Sequence, residues 1–148
     1  MAHIVVLGAG LGGVPMALEA RRELGRDHKI TVVSDKDTFH FTPSNPWVAV
    51  NWRKAEQIKV DLAPMFAKKG IEFVHAAATE VRPEANQIAL ENGETLTYDY
   101  LVIATGPELA FDEIEGLGPH GGFTQSVCHV DHADDASGVW DNFVGNPA

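Results

Sequence analysis

The chain has 148 residues, 45% of them hydrophobic, which is enough for one core of ordinary size and too apolar for a disordered segment. Eleven Lys and Arg against 21 Asp and Glu leave a formal charge of −10, which repels phosphate backbones and anionic lipid surfaces and excludes nucleic acid as an expected partner. The single cysteine, Cys128, excludes an internal disulfide; MAHIVVLGAG carries no cationic leader and no run reaches the roughly 18 apolar residues of a membrane helix, so a soluble chain without a signal peptide is expected.

In chain order, His3 to Leu7 is a short β-branched run that predicts a strand. Glycines follow at once, and Val14 to Leu24 predicts a helix with Gly25 placed to end it. Lys29 to Ser34 (KITVVS) is a second strand pattern, so the first unit is βαβ. Leu62 to Lys69 predicts a helix and Ile71 to Ala76 a third strand, which the handedness of such crossovers makes parallel to the others. Residues 79–98 alternate in short runs. Asn92-Gly93 predicts a type I′ hairpin turn between Gln87–Leu90 and Glu94–Thr97, within a small antiparallel meander. Tyr100 to Ala104 (YLVIA) reads as a buried parallel strand running into Thr105-Gly106. From Pro107 to Gly122 the composition turns to Gly, Pro and acids, the chemistry of a surface connector. The expected organisation is a domain over 1–106 and an incomplete connector over 107–148, mobile and weakly helical from Ala133 to Phe143. The fold class is α/β: a Rossmann-like FAD/NAD(P)-binding fold with a parallel sheet and an inserted antiparallel meander.

Gly8-Ala9-Gly10-Leu11-Gly12-Gly13 fits GxGxxG after a predicted strand and before a predicted helix. Each glycine answers a separate steric demand: a tight turn at Gly8, close approach of backbone to a pyrophosphate at Gly10, and packing of helix on strand at Gly13. Backbone N–H groups at the helix start then face the phosphates. Ser34-Asp35, about 20 residues on at the end of the second strand, stand where an adenosine ribose needs an oxygen ligand, and no arginine follows to receive a 2′-phosphate. FAD and NAD share such a cradle. The meander followed by YLVIATG resembles the two-dinucleotide-binding-domain flavoproteins and favours FAD.

A narrower resemblance rests on MAHIVVLGAGLGGVPMA, FTPSNPWVAVNW, YDYLVIATGPELAF and QSVCHVDHA. In that order they resemble the sulfide:quinone oxidoreductases and their relative, the flavoprotein subunit of flavocytochrome c sulfide dehydrogenase, over the chain up to about residue 135. The resemblance implies an FAD-dependent enzyme that oxidises sulfide to sulfur or polysulfide and passes electrons to quinone. It implies FAD contacts at Gly8, Ala9, Gly10, Gly12, Gly13, Ser34, Asp35, Thr42, Ala78, Thr105 and Gly106. Phe39, Phe41, Pro43, Pro46, Trp47 and Trp52 fit the family's loop after the second strand, or else cover a sheet edge, as aromatics often do.

The resemblance further implies a sulfur-relaying role for Cys128, the first of three family cysteines, and a proton or quinone role for His132. A reactive cysteine needs access and a stabilising charge, which His129 and His132 can supply near neutral pH. Cys128, His129, Asp131 and His132 lack the usual metal-ligand spacing, so no metal is expected. His3, His28, His40, His75 and His120 are scattered and suggest only surface or capping roles. Complete members carry a second nucleotide-type domain, two more cysteines and a carboxy-terminal anchor to the prokaryotic inner membrane, so this chain alone is expected to be inactive. The alternatives are another two-domain flavoprotein, such as an NADH-dependent flavin reductase, and a non-catalytic nucleotide-binding fragment.

Overall fold

The computed structural model describes residues 1–146. In chain order the elements are β1 (His3–Leu7), α1 (Gly13–Leu24), β2 (Lys29–Ser34), β3 (Thr38–His40), α2 (Asn45–Ala49), β4 (Lys59–Asp61), α3 (Leu62–Ala67), β5 (Glu72–His75), β6 (Ala78–Arg82), β7 (Gln87–Leu90), β8 (Thr95–Thr97), β9 (Tyr100–Ile103) and α4 (Val130–Gly145). Two compact units result. One joins Met1–Phe39 to Val60–Gly106; the other joins His40–Lys59 to the chain from Pro107 onward.

The first unit is built on a parallel sheet in the order β5-β2-β1-β9. Successive strand residues point to opposite faces. Ile4, Val6, Ile30 and Val32 face a core with Val14 and Ala17 of α1 and Leu62 and Phe66 of α3. Val5, Leu7 and Val33 face the other way, against Ile88 and Leu90 of an antiparallel sheet ordered β6-β7-β8. Burial on both faces is why β1 and β2 read as continuous apolar runs. One polar ladder crosses this sheet: the Thr31 hydroxyl, fully buried, lies 2.8 Å from His3 Nε2 and donates to Glu72 at 2.6 Å.

Three expectations are corrected here. The β7–β8 turn is not type I′, because Asn92 keeps a negative φ and only Gly93 is left-handed at 85°. Gly93 N–H donates to Leu90 O at 3.0 Å and Asn92 Oδ1 accepts from Glu94 N–H at 3.0 Å, a type I turn closed by a glycine bulge. Strand β9 is parallel to β1 but is an edge, with Tyr100 and Ile103 each 65% exposed, because no further strand of the described residues pairs with it. The stretch after Gly106 is not a bare connector. In the second unit α4 runs for 16 residues and packs on α2 through a core of Val48, Ala49, Ala55, Ile58, Val130, Ala133 and Ala136. Small residues at 133 and 136, one turn apart, let the two helices approach closely. Sequence reasoning missed α2, whose Pro46 stands in its first turn, where a missing N–H costs nothing.

Candidate functional site

The glycine turn of the first unit is held almost wholly by backbone. Gly8 N–H donates to Val33 O at 2.8 Å, which ties the turn to β2, and Ala104 N–H donates to Leu7 O at 2.7 Å, which ties it to the end of β9. Gly8 has φ 102°, and a Cβ there would collide with the carbonyl oxygen of Ala104 and come within 2.8 Å of Thr105 N. A Cβ on Gly13 would strike the Gly8 carbonyl. Around Gly10, by contrast, nothing lies within 4 Å of the place a Cβ would take. The turn is thus closed on its protein side and open at its middle glycine.

Helix α1 begins at this turn. Val14 and Met16 donate their N–H groups to the carbonyls of Gly10 and Gly12 at 3.1 Å each, whereas among the described residues the N–H groups of Gly10, Leu11, Gly12 and Gly13 donate no hydrogen bond. No acidic side chain occupies the first turn of α1. Unpaired N–H groups and the positive end of a helix dipole thus lie at the start of α1, beside the open side of Gly10, which favours an anion. These residues fit a pyrophosphate.

Ser34 is buried at the end of β2, its hydroxyl accepting Lys36 N–H at 3.1 Å. Asp35 is exposed, its carboxylate 3.4 Å from Lys36 Nζ and its carbonyl 3.2 Å from His75 Nε2. Ala78 opens β6 opposite Leu90 and packs on the Val5, Leu7 and Val33 side of the sheet. Ala9 is buried, Gly12 exposed, and Thr105 and Gly106 are exposed at the end of β9, with Gly106 left-handed at φ 76°.

The remaining expected residues belong to the second unit. Thr42 begins a short 3-10 turn, Thr42–Ser44, that leads into α2. Cys128 is exposed and its N–H donates to Ser126 Oγ at 3.1 Å. His132, in the first turn of α4, is 8% exposed, and its buried Nδ1 has no partner among the described residues. Burial holds its imidazole below the usual pKa, and the neighbouring His129 and His120 push it the same way, against Asp135 and Asp131.

His120 is the residue that sequence reasoning set aside. Its ring packs edge-on against His132 with centroids 5.0 Å apart, His129 does so at 5.1 Å and Phe111 at 5.4 Å. His120 Nε2 is also 3.8 Å from Asp135 Oδ2. His132 therefore sits in a nest of rings, where burial and the two neighbouring histidines disfavour its charged form. Phe111 and His120 are supplied by a loop with no periodicity, so only the fold could reveal them. Among the described residues no group of three or more His, Cys, Asp or Glu side chains is arranged to hold a metal.

Residues 2–140 match the family described as "Pyridine nucleotide-disulphide oxidoreductase". The chain belongs to this family. It is 41% identical over 145 residues to the sulfide-quinone reductase of Aquifex aeolicus (strain VF5), covering 98% of this chain and 33% of that protein. It is 29% identical over 119 residues to the mitochondrial sulfide:quinone oxidoreductase of Dictyostelium discoideum, covering 77% of this chain and 25% of the relative. The crystal structure of the sulfide:quinone oxidoreductase from Aquifex aeolicus superposes with a TM-score of 0.88 at 41% identity, covering 99% of this chain and 33% of that one. The chain thus spans a quarter to a third of the length of these relatives. No helix of the described residues is long and apolar enough to cross a membrane.

Proposed function

We propose that this chain is the FAD-holding part of a sulfide:quinone oxidoreductase, in which sulfide is oxidised to sulfur or polysulfide and a quinone is reduced. The observation that carries this reading is the likeness to the Aquifex aeolicus protein across nearly the whole chain. The glycine turn supports it independently, since its free donors suit the pyrophosphate of a dinucleotide. Gly8, Ala9, Gly10, Gly12 and Gly13 would hold that pyrophosphate, Ser34 and Asp35 the adenosine ribose, and Thr42, Ala78, Thr105 and Gly106 the rest of the cofactor. FAD, when bound, supplies an acceptor for two electrons.

The chain's own residues would do the remaining work. HS⁻ gives up two electrons and a proton to reach sulfur, and a quinone takes two electrons and two protons, so each turnover consumes one net proton. Cys128, exposed and a nucleophile as thiolate, is the residue to carry sulfur. His132, buried among rings at the start of α4 with its imidazole held below the usual pKa, is the residue to which we assign the movement of a proton. Attachment of the complete enzyme to the prokaryotic inner membrane belongs to the same proposal, through a region outside these residues.

The test is a visible spectrum of purified protein after FAD titration and desalting, followed by sulfide addition. Retained flavin bands that sulfide bleaches, with the bleaching lost in Cys128→Ser, are expected. Bleaching by NADH that ignores Cys128→Ser would instead identify a flavin reductase, and absence of retained flavin a non-catalytic fragment.

A further inference from the structure

Asn45 is fully buried at the start of α2, among the apolar side chains that pack α2 on α4. Its Nδ2 donates to Val127 O at 2.8 Å, across 82 residues of sequence. Its Oδ1 is buried without a partner among the described residues, as is the hydroxyl of Ser44 beside it. A buried amide with one end unpaired is a net cost that an apolar side chain of the same size would avoid. Burial of the side chain alone therefore does not explain an amide at position 45.

What the amide holds does explain it. The Val127 carbonyl and the Cys128 N–H belong to one planar peptide unit. Asn45 grips the carbonyl end, and the Ser126 hydroxyl accepts from the N–H end at 3.1 Å. Two bonds on opposite edges of a rigid plane restrain its rotation, and so restrain the backbone from which the Cys128 side chain departs. The side on which Asn45 stands is itself rigid, because α2 is packed on α4, which begins at Val130. Cys128, though exposed, is thus attached to a restrained plane.

We propose that Asn45 is a positioning residue, holding the peptide plane before Cys128 so that its thiol stands in one place. For turnover this rests on the function proposed above; for the thiol itself it stands alone. The experiment uses Asn45→Leu and Asn45→Asp in the protein as it exists, since both keep the volume and lose the donor. Iodoacetamide labelling of Cys128 is followed by peptide mass spectrometry, and a thermal melt reports folding.

Because Cys128 is exposed in either case, loss of one hydrogen bond of ordinary strength should change its labelling rate, by up to about fivefold, through the placement of the thiol and not through access. Ser126→Ala should do the same, and the double variant should give less than the product of the two, because both bonds hold one plane. The rate of sulfide-dependent flavin bleaching should fall while the KM for quinone stays unchanged. Folded variants with unaltered labelling, or a double variant whose effects simply multiply, would overturn the proposal. Failure of both variants to fold would overturn it as well, by making Asn45 a scaffold residue. Should the unaltered protein show no sulfide bleaching, the proposed function fails while the labelling still decides the role of Asn45.

Discussion

The two units solve the same problem, a fixed site next to solvent, with opposite materials. In the first, the glycine turn is set by backbone against backbone, with Gly8, Gly13, Val33 and Ala104 in contact and almost no side chain involved. In the second, side chains do the holding: Asn45 on Val127, and His120, His129 and Phe111 around His132. Three of the four buried side-chain atoms left without partners among the described residues, Ser44 Oγ, Asn45 Oδ1 and His132 Nδ1, lie in this second unit. A turn made of backbone leaves its unpaired groups as main-chain N–H donors at the start of α1. A site made of side chains accepts unpaired ones as the cost of placing functional atoms.

The sharpest way to break this comparison is at the glycine turn. Gly13→Ala drives a methyl into the Gly8 carbonyl, so we expect loss of the folded first unit and of any retained flavin, measured by thermal melt and by the desalted spectrum. Gly10→Ala meets nothing within 4 Å, so the fold should survive while flavin affinity drops, because only the open face is altered. If both variants behaved alike, the division into a closed and an open side would be wrong. Next in size is Phe66→Ala, which empties the largest fully buried side chain beneath the sheet and should cost about 3–5 kcal/mol in a urea melt, with no direct effect on Cys128 labelling.

Smaller again is an effect of pH. His132 in the second unit, through burial and its two histidine neighbours, and His3 in the first, through burial and Lys29, are both held below the usual imidazole pKa. A histidine whose pKa falls on folding binds fewer protons in the folded state. Its contribution is therefore intact above about pH 6.5 and is lost as pH falls from there through the lowered value. Glu72, held low by the Thr31 and Lys29 hydrogen bonds, extends the first unit's acid sensitivity below the usual carboxylate range. Melting followed against pH should thus decline below about 6.5, and His132→Asn should flatten that decline while the His3 contribution remains. An unchanged slope would show that His132 is not the group that titrates.

How much of this was legible in the sequence follows the same division. The strand, glycine turn and helix from His3 to Leu24 could be read directly, because every demand on Gly8 and Gly13 comes from neighbours in a local βα unit. The meander was legible from alternation, although the Asn92-Gly93 pair misled on turn type: the Asn92 side chain bonds the Glu94 amide and so favours a negative φ at its own position. The stretch after Gly106 was misread because its partner, α2, lies far upstream and is only five residues long. Asn45 gave no signal at all, since a buried amide and a surface amide are written with the same letter. His120 was invisible for the same reason, its ring meeting His132 through the tertiary fold alone.

The open edge at β9 has a consequence for the laboratory. A strand edge flanked by exposed Tyr100 and Ile103 is a template on which a neighbouring chain can pair. Solutions of these 148 residues alone should self-associate edge to edge as concentration rises. A polypeptide able to add a strand at this edge should suppress that association.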